Sequence, residues 1–122
     1  MGLMCYPRGG SAQVARYLSL ALVESGWEVA LASGSLGSPG EQTHAATFFE
    51  GLDVEAADYT PALERFGRGE DQLVGPVPFH GSFEDREGAP DPVLAALSAE
   101  QGEAQVSAWE GVFERAGFGH VG

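Results

Sequence analysis

The sequence predicts an α/β fold: a Rossmann-like, three-layer α/β/α arrangement around a parallel sheet. Three observations carry this expectation. Residues 2–6 form a short apolar run that enters a glycine turn, Pro7-Arg8-Gly9-Gly10, and a helical pattern opens directly off that turn. The pattern closes at Gly26, and the run Trp27-Glu28-Val29-Ala30-Leu31-Ala32-Ser33 follows at once. A shorter helical stretch and a third apolar run, 52–59, repeat the alternation. Short apolar runs alternating with helical periodicity are what parallel strands joined by crossover helices require.

Each element has a local reason. Ser11 is the expected N-cap of the first helix, its hydroxyl accepting from an amide in the first turn. Val14, Leu18, Ala21 and Leu22 recur at three- and four-residue steps and predict the buried stripe. Gly26 provides the left-handed C-terminal cap. The second strand, 27–33, is mostly small and apolar, as expected where helices cover both faces of a sheet. After a Gly- and Ser-rich loop, 33–40, residues 43–50 predict a short helix that turns Phe48 and Phe49 to the core and ends at Gly51. Val54 and Ala56 are the expected buried positions of the third strand. Periodicity is then lost over 60–88, where Pro61, Pro76, Pro78 and several glycines predict a long irregular loop. A loop of that length inside a compact domain is usually functional or disordered. Order returns over 91–116. Asp91-Pro92 reads as a helix start with Asp as cap and Pro in the first position. Ser98 and Gln101 have capping-box spacing, and Val106, Trp109, Phe113 and Ala116 fall on one face of the helix that follows. The whole of 1–122 reads as one domain, an incomplete one, because 116–122 stops where a further strand is expected.

Composition narrows the function. The net charge of −12 at 122 residues argues against nucleic acid as a partner, since phosphate backbones need clustered Lys and Arg. It also disfavours anionic membrane surfaces. There is no Lys at all, which excludes a P-loop. A single cysteine, Cys5, rules out an internal disulfide and fits a reducing compartment; within the first strand it reads as a small core residue. Arg8 follows too few apolar residues for a signal peptide. The longest apolar-rich run, 17–23, is far short of the ~20 residues of a membrane span. A soluble, cytoplasmic protein with no transmembrane segment is expected.

Few residues stand out as chemistry. Gly9 and Gly10 have a structural reading, a turn needing positive φ and close packing, which predicts that a valine at Gly10 clashes. They also have a functional one: amides at a helix start face an anionic group above the sheet edge. The turn lacks the Gly-x-Gly-x-x-Gly pattern, so dinucleotide binding is disfavoured. Arg8 is either an ordinary surface arginine or a bidentate phosphate partner. Ser11 is either a cap or a ligand contact. His80 lies in the long loop beside Ser82, Glu84, Asp85 and Arg86 and reads as a surface histidine or as a group that binds or deprotonates a hydroxyl. His44 and His120 read as packing and tail. No two histidines have metal-ligand spacing, so no metal is expected, and no acidic pair is placed as an acid/base dyad.

The combined pattern resembles the N-terminal, acceptor-side half-domain of GT-B glycosyltransferases of the family 4 group. The opening strand, the Pro-Arg-Gly-Gly turn at 7–10, the helix and then Gly26-Trp27-Glu28-Val29 match that group's start, with Trp27 where a His is usual. The stretches Thr43-His44-Ala45-Ala46-Thr47-Phe48-Phe49, Asp58-Tyr59, Phe79-His80-Gly81-Ser82-Phe83-Glu84-Asp85-Arg86, Gly88-Ala89-Pro90-Asp91 and Trp109-Glu110 are similar to its bacterial members. The resemblance implies a parent enzyme that moves a hexose from a nucleotide-sugar to a small-molecule or glycan acceptor, with retention of configuration and no metal or other cofactor. It implies a substrate-binding role for Arg8, Gly9, Gly10 and Ser11 and an acceptor-side role for His80, with proton transfer as the catalytic option. The donor site belongs to a second, C-terminal domain, for which a separately encoded partner is one expectation, so this chain alone is expected to be inactive. Two other classes stay open: a non-catalytic fragment or interaction module, and a small nucleotide-binding Rossmann protein.

Overall fold

A computed structural model describes residues 1–71, 78–81, 87 and 91–117. Among these residues the fold is α/β, with three strands in one parallel sheet, ordered β1 (Gly2–Leu3), β2 (Ala30–Ser35) and β3 (Asp53–Asp58). Among the described residues four α-helices accompany it: α1 (Gly9–Glu24), α2 (Ala45–Phe48), α3 (Thr60–Gly67) and α4 (Ala99–Arg115), with a 3₁₀ turn at Leu94–Ala96. β2 sits in the centre, and successive side chains point to opposite faces. Leu31 packs with Ala15 of α1, Ala45 of α2 and Phe49. Ala32, one residue on, joins Ala57, Tyr59, and Trp109 and Val112 of α4 on the other face. Helices therefore cover both faces, which makes three layers. Leu31 and Phe49 are fully buried, each contributing about 1.5–3 kcal/mol relative to exposure.

Several elements differ from what local pattern predicts. β1 stops at Leu3 because the chain beyond it leaves the ladder to cross Gly34. There the Tyr59 hydroxyl, not a strand amide, donates to the Met4 carbonyl oxygen. Cys5 accordingly lies half-buried beyond the strand. β2 begins at Ala30, leaving Trp27 66% exposed. In β3 the fully buried residue is Ala57, while Val54 and Ala56 are only partly covered. α2 is a single turn, capped by the Ser35 hydroxyl, which accepts from Ala45 N at 2.9 Å. Phe49 is buried and Phe48 half-buried against it.

The largest correction concerns α1. Its buried positions are Ala12, Ala15 and Ser19; Val14 and Leu18 are 65% and 47% exposed. Small side chains let the helix lie close on the sheet, so spacing identified a helix but size misidentified its inner face. The helix also begins earlier than expected. Arg8 is the N-cap, with extended backbone and no side-chain cap bond, so Ser11 is inside the first turn and not its cap. Gly9 has φ of +70°, whereas Gly10 does not, and a Cβ at Gly10 would meet nothing within 4 Å. The expected clash there does not exist.

Residues 60–67, read as loop, form α3. Pro61 is tolerated in a first turn, where its missing N–H has no helical partner to lose. The Asp58 carboxylate accepts from Thr60 N at 3.0 Å to start it. Conversely, no helix starts at Asp91-Pro92; a 3₁₀ turn begins at Leu94, and Asp91 is used elsewhere. The capping box of α4 forms as predicted, with Gln101 N donating to Ser98 Oγ at 3.2 Å and Ser98 N to Gln101 Oε1 at 2.9 Å. On α4, Trp109 and Phe113 pack on the core, as does Ala116 at its C-cap, but Val106 is 58% exposed and Val112 takes the buried position. Among the described residues, no helix is long and apolar enough to cross a membrane.

Candidate functional site

The strands are parallel, so all three end on one side, and the loops that leave them meet there. Ligands of open α/β sheets bind outside these carboxyl ends. From β1 come Tyr6, Pro7 and Arg8; from β3 comes Tyr59; from the segment before the 3₁₀ turn come Phe79, His80 and Asp91. Two of the residues singled out in the sequence, Arg8 and His80, meet although 72 positions separate them: Arg8 Nη2 lies 3.3 Å from His80 Nε2.

His80 is the centre of the cluster and is not a surface residue; it is 8% exposed. Its ring sits against the edges of two tyrosines, Tyr6 at 5.1 Å and Tyr59 at 5.7 Å between centroids. Its Nδ1 lies 3.2 Å from Asp91 Oδ1, a carboxylate almost as buried as itself. The backbone that carries it is clamped by α4: the Gln105 side chain donates to the Phe79 carbonyl at 2.8 Å and accepts from Phe79 N at 3.3 Å. Gly81, next in the chain, is fitted under Leu94, which a Cβ would run into. The histidine is therefore held by its ring contacts, by its neighbour's backbone and by Arg8 at Nε2, while the Asp91 carboxylate faces Nδ1 at ion-pair distance without an aligned hydrogen bond.

Arg8 is the exposed member. Its Nη1 donates to the Tyr6 hydroxyl at 2.8 Å and its guanidinium carbon lies 4.5 Å from that ring's centroid. Being at the N-cap of α1, it stands beside Gly9, Gly10 and Ser11, all exposed. Among the described residues, the N–H groups of these three have no partner. First-turn amides and the positive end of the helix dipole favour a negative group, and Arg8 adds a full charge next to them. The Tyr59 phenol is different in character: burial, first, and then the nearby Cys5 push its pKa up, so it stays a protonated hydrogen-bond donor to Met4.

Comparisons against protein families, curated proteins and solved structures return no match. The site therefore stands on its geometry.

Of the sequence-predicted residues, Arg8, Gly9, Gly10, Ser11 and His80 lie at this one edge. Ser82, Glu84, Asp85 and Arg86, expected beside His80, and His120 fall outside the described residues. His44 is the N-cap residue of α2, apart from the cluster. Among the described residues, no group of three His, Cys, Asp or Glu side chains is placed to hold a metal ion. Sequence reasoning missed Asp91, Gln105 and Tyr59 as parts of the site. Asp91-Pro92 carries a helix-start signal that points the wrong way, and nothing local distinguishes Gln105 from any other polar residue of an exposed-looking helix turn.

Proposed function

We propose that this chain is an acceptor-side half-domain of a family 4-like GT-B glycosyltransferase, which contributes the edge formed by Arg8, Gly9, Gly10, Ser11 and His80. The observation that carries this reading is the approach of Arg8 to His80 at the carboxyl end of the sheet, beside the open first turn of α1. A glycosyl acceptor or nucleotide-sugar needs two things there. Its phosphate oxygens need cationic and N–H donors, which Arg8 and the amides of Gly9–Ser11 supply. Its hydroxyl groups need a buried, oriented partner, which His80 supplies. Transfer itself requires a donor-binding second domain, so the 122-residue chain binds but does not turn over.

The test is a ¹H–¹⁵N titration of the chain with UDP, GDP and their glucose conjugates. Shift changes confined to Arg8–Ser11 and His80, without sugar transfer in a coupled assay, are expected. Transfer by the chain alone, or perturbations on the far side of the sheet, would refute the reading. Preferential binding of NAD or NADP would support the small Rossmann protein instead.

A second reading, an interaction module, is favoured by one observation. Val14, Tyr17, Leu18 and Val23 of α1, with Trp27 beyond it, are between 44% and 66% exposed, more apolar surface on one element than solvent usually faces. Sedimentation at micromolar concentration decides it: self-association that Leu18→Glu abolishes supports it, and a monomer at all concentrations sinks it.

A further inference from the structure

The two nitrogens of His80 face groups of opposite and fixed polarity. Nδ1 looks at the Asp91 carboxylate at 3.2 Å, and Nε2 looks at the Arg8 guanidinium at 3.3 Å. An ionised carboxylate only accepts, and a guanidinium only donates. A neutral imidazole has one N–H and one lone pair, and only one of its two tautomers fits between these partners. The proton belongs on Nδ1 and the lone pair on Nε2, because Nε2 is within hydrogen-bond distance of a group that only donates, and the carboxylate 3.2 Å from Nδ1 favours an N–H there by its charge rather than through an aligned hydrogen bond. An Nε2–H would be aimed at a cation, which costs both the hydrogen bond and the charge repulsion.

From this we infer that Asp91 is a positioning residue: its carboxylate, at ion-pair distance from Nδ1, favours His80 as the Nδ1-protonated tautomer and thereby presets Nε2 as a hydrogen-bond acceptor at the sheet edge. Arg8 holds that acceptor now. Arg8 is also the exposed and long member of the pair, and the one an anionic group can attract. When a phosphorylated ligand draws the guanidinium toward its oxygens, Nε2 is released to accept from a ligand hydroxyl. The ligand class is thus a phosphate ester that carries a free hydroxyl, such as a sugar phosphate. This second half rests on the site proposed above; the tautomer does not.

The arrangement explains why so much structure is spent on one side chain. The Tyr6 and Tyr59 rings restrict rotation of the imidazole, and Gln105 fixes the backbone beneath it. An imidazole able to turn over would exchange its two nitrogens and lose the preset acceptor. Orientation of a histidine by a carboxylate on its other nitrogen is the general way such groups are given one role.

The experiment is a long-range ¹H–¹⁵N correlation spectrum of the His80 ring in the full chain near pH 8. Nε2 is expected at the downfield position of a lone-pair nitrogen and Nδ1 at the upfield position of an N–H. Asp91→Asn should shift both toward averaged positions, Asp91→Glu should restore the separation at least in part, and Arg8→Ala should leave it in place. An Nε2–H signal or averaged nitrogens in the wild-type protein overturn the inference even if Asp91→Asn does not fold. So does a spectrum that Asp91→Asn leaves unchanged. Glucose 6-phosphate is then titrated into the wild-type protein. Movement of the Nε2 resonance, lost in Arg8→Ala, is expected. A correct tautomer with no response at millimolar sugar phosphate removes the ligand half and the proposed site, and leaves the role of Asp91 standing.

Discussion

The crossing of β1 over Gly34 makes the sharpest prediction about this fold. A Cβ built at Gly34 would lie 2.5 Å from the Tyr59 ring, 2.7 Å from the Met4 carbonyl oxygen and 2.9 Å from the Cys5 carbonyl carbon. Two of these neighbours are backbone, so no rotamer change relieves the overlap. Gly34→Ala must push residues 4–5 away or displace Tyr59, and either movement breaks the hydrogen bond from Tyr59 to Met4. Overpacking a closed site costs about 1–3 kcal/mol, and the lost hydrogen bond adds about 1 kcal/mol. A destabilisation of about 2–4 kcal/mol follows, which at this chain length lowers Tm by roughly 6–16 °C. Thermal and urea unfolding followed by far-UV circular dichroism measure it. Gly102→Ala is the control: a side chain there meets nothing within 4 Å, and the helical position should gain about 0.5–1 kcal/mol. Equal stability of Gly34→Ala and wild type would refute the close approach, and with it the path by which β1 delivers Arg8 to the sheet edge.

Other perturbations test separate parts. Gln105→Leu strips the N–H and carbonyl of Phe79 of their partner and should cost about 1–3 kcal/mol, with broadened His80 resonances; a sharp, unshifted His80 signal counts against the clamp. Ser98→Ala removes the capping box and should cost about 1 kcal/mol in urea unfolding, and less than about 0.3 kcal/mol would contradict the cap. Tyr59 gives a pH dependence. Its folded pKa is raised by burial, so its contribution is complete below the ordinary tyrosine value of about 10. It declines as pH rises from there toward the higher folded value, because only the unfolded chain then releases the proton. Stability measured at pH 8 and pH 11 should fall more for wild type than for Tyr59→Phe, and parallel losses would show that Tyr59 ionises freely.

What the sequence determined by itself was whatever depends on neighbours along the chain. The alternation of apolar runs and helical periods implied parallel strands with covering helices, and Ser98 with Gln101 formed the capping box their spacing required. The positive φ at Gly9 followed from a turn that only glycine adopts easily. Local pattern also placed Arg8 and the first-turn amides at the opening of α1. Tertiary structure alone decided the rest, because contacts across the chain choose between locally equivalent options. Ala12, Ala15 and Ser19 are buried instead of the larger Val14 and Leu18 because the helix must lie close to the sheet. Asp91 serves His80 instead of capping a helix, since a buried imidazole needs a partner more than a solvated helix end does. The meeting of Asp91, His80 and Arg8 has no counterpart in sequence spacing; it exists because parallel strands end side by side and bring distant loops to one edge.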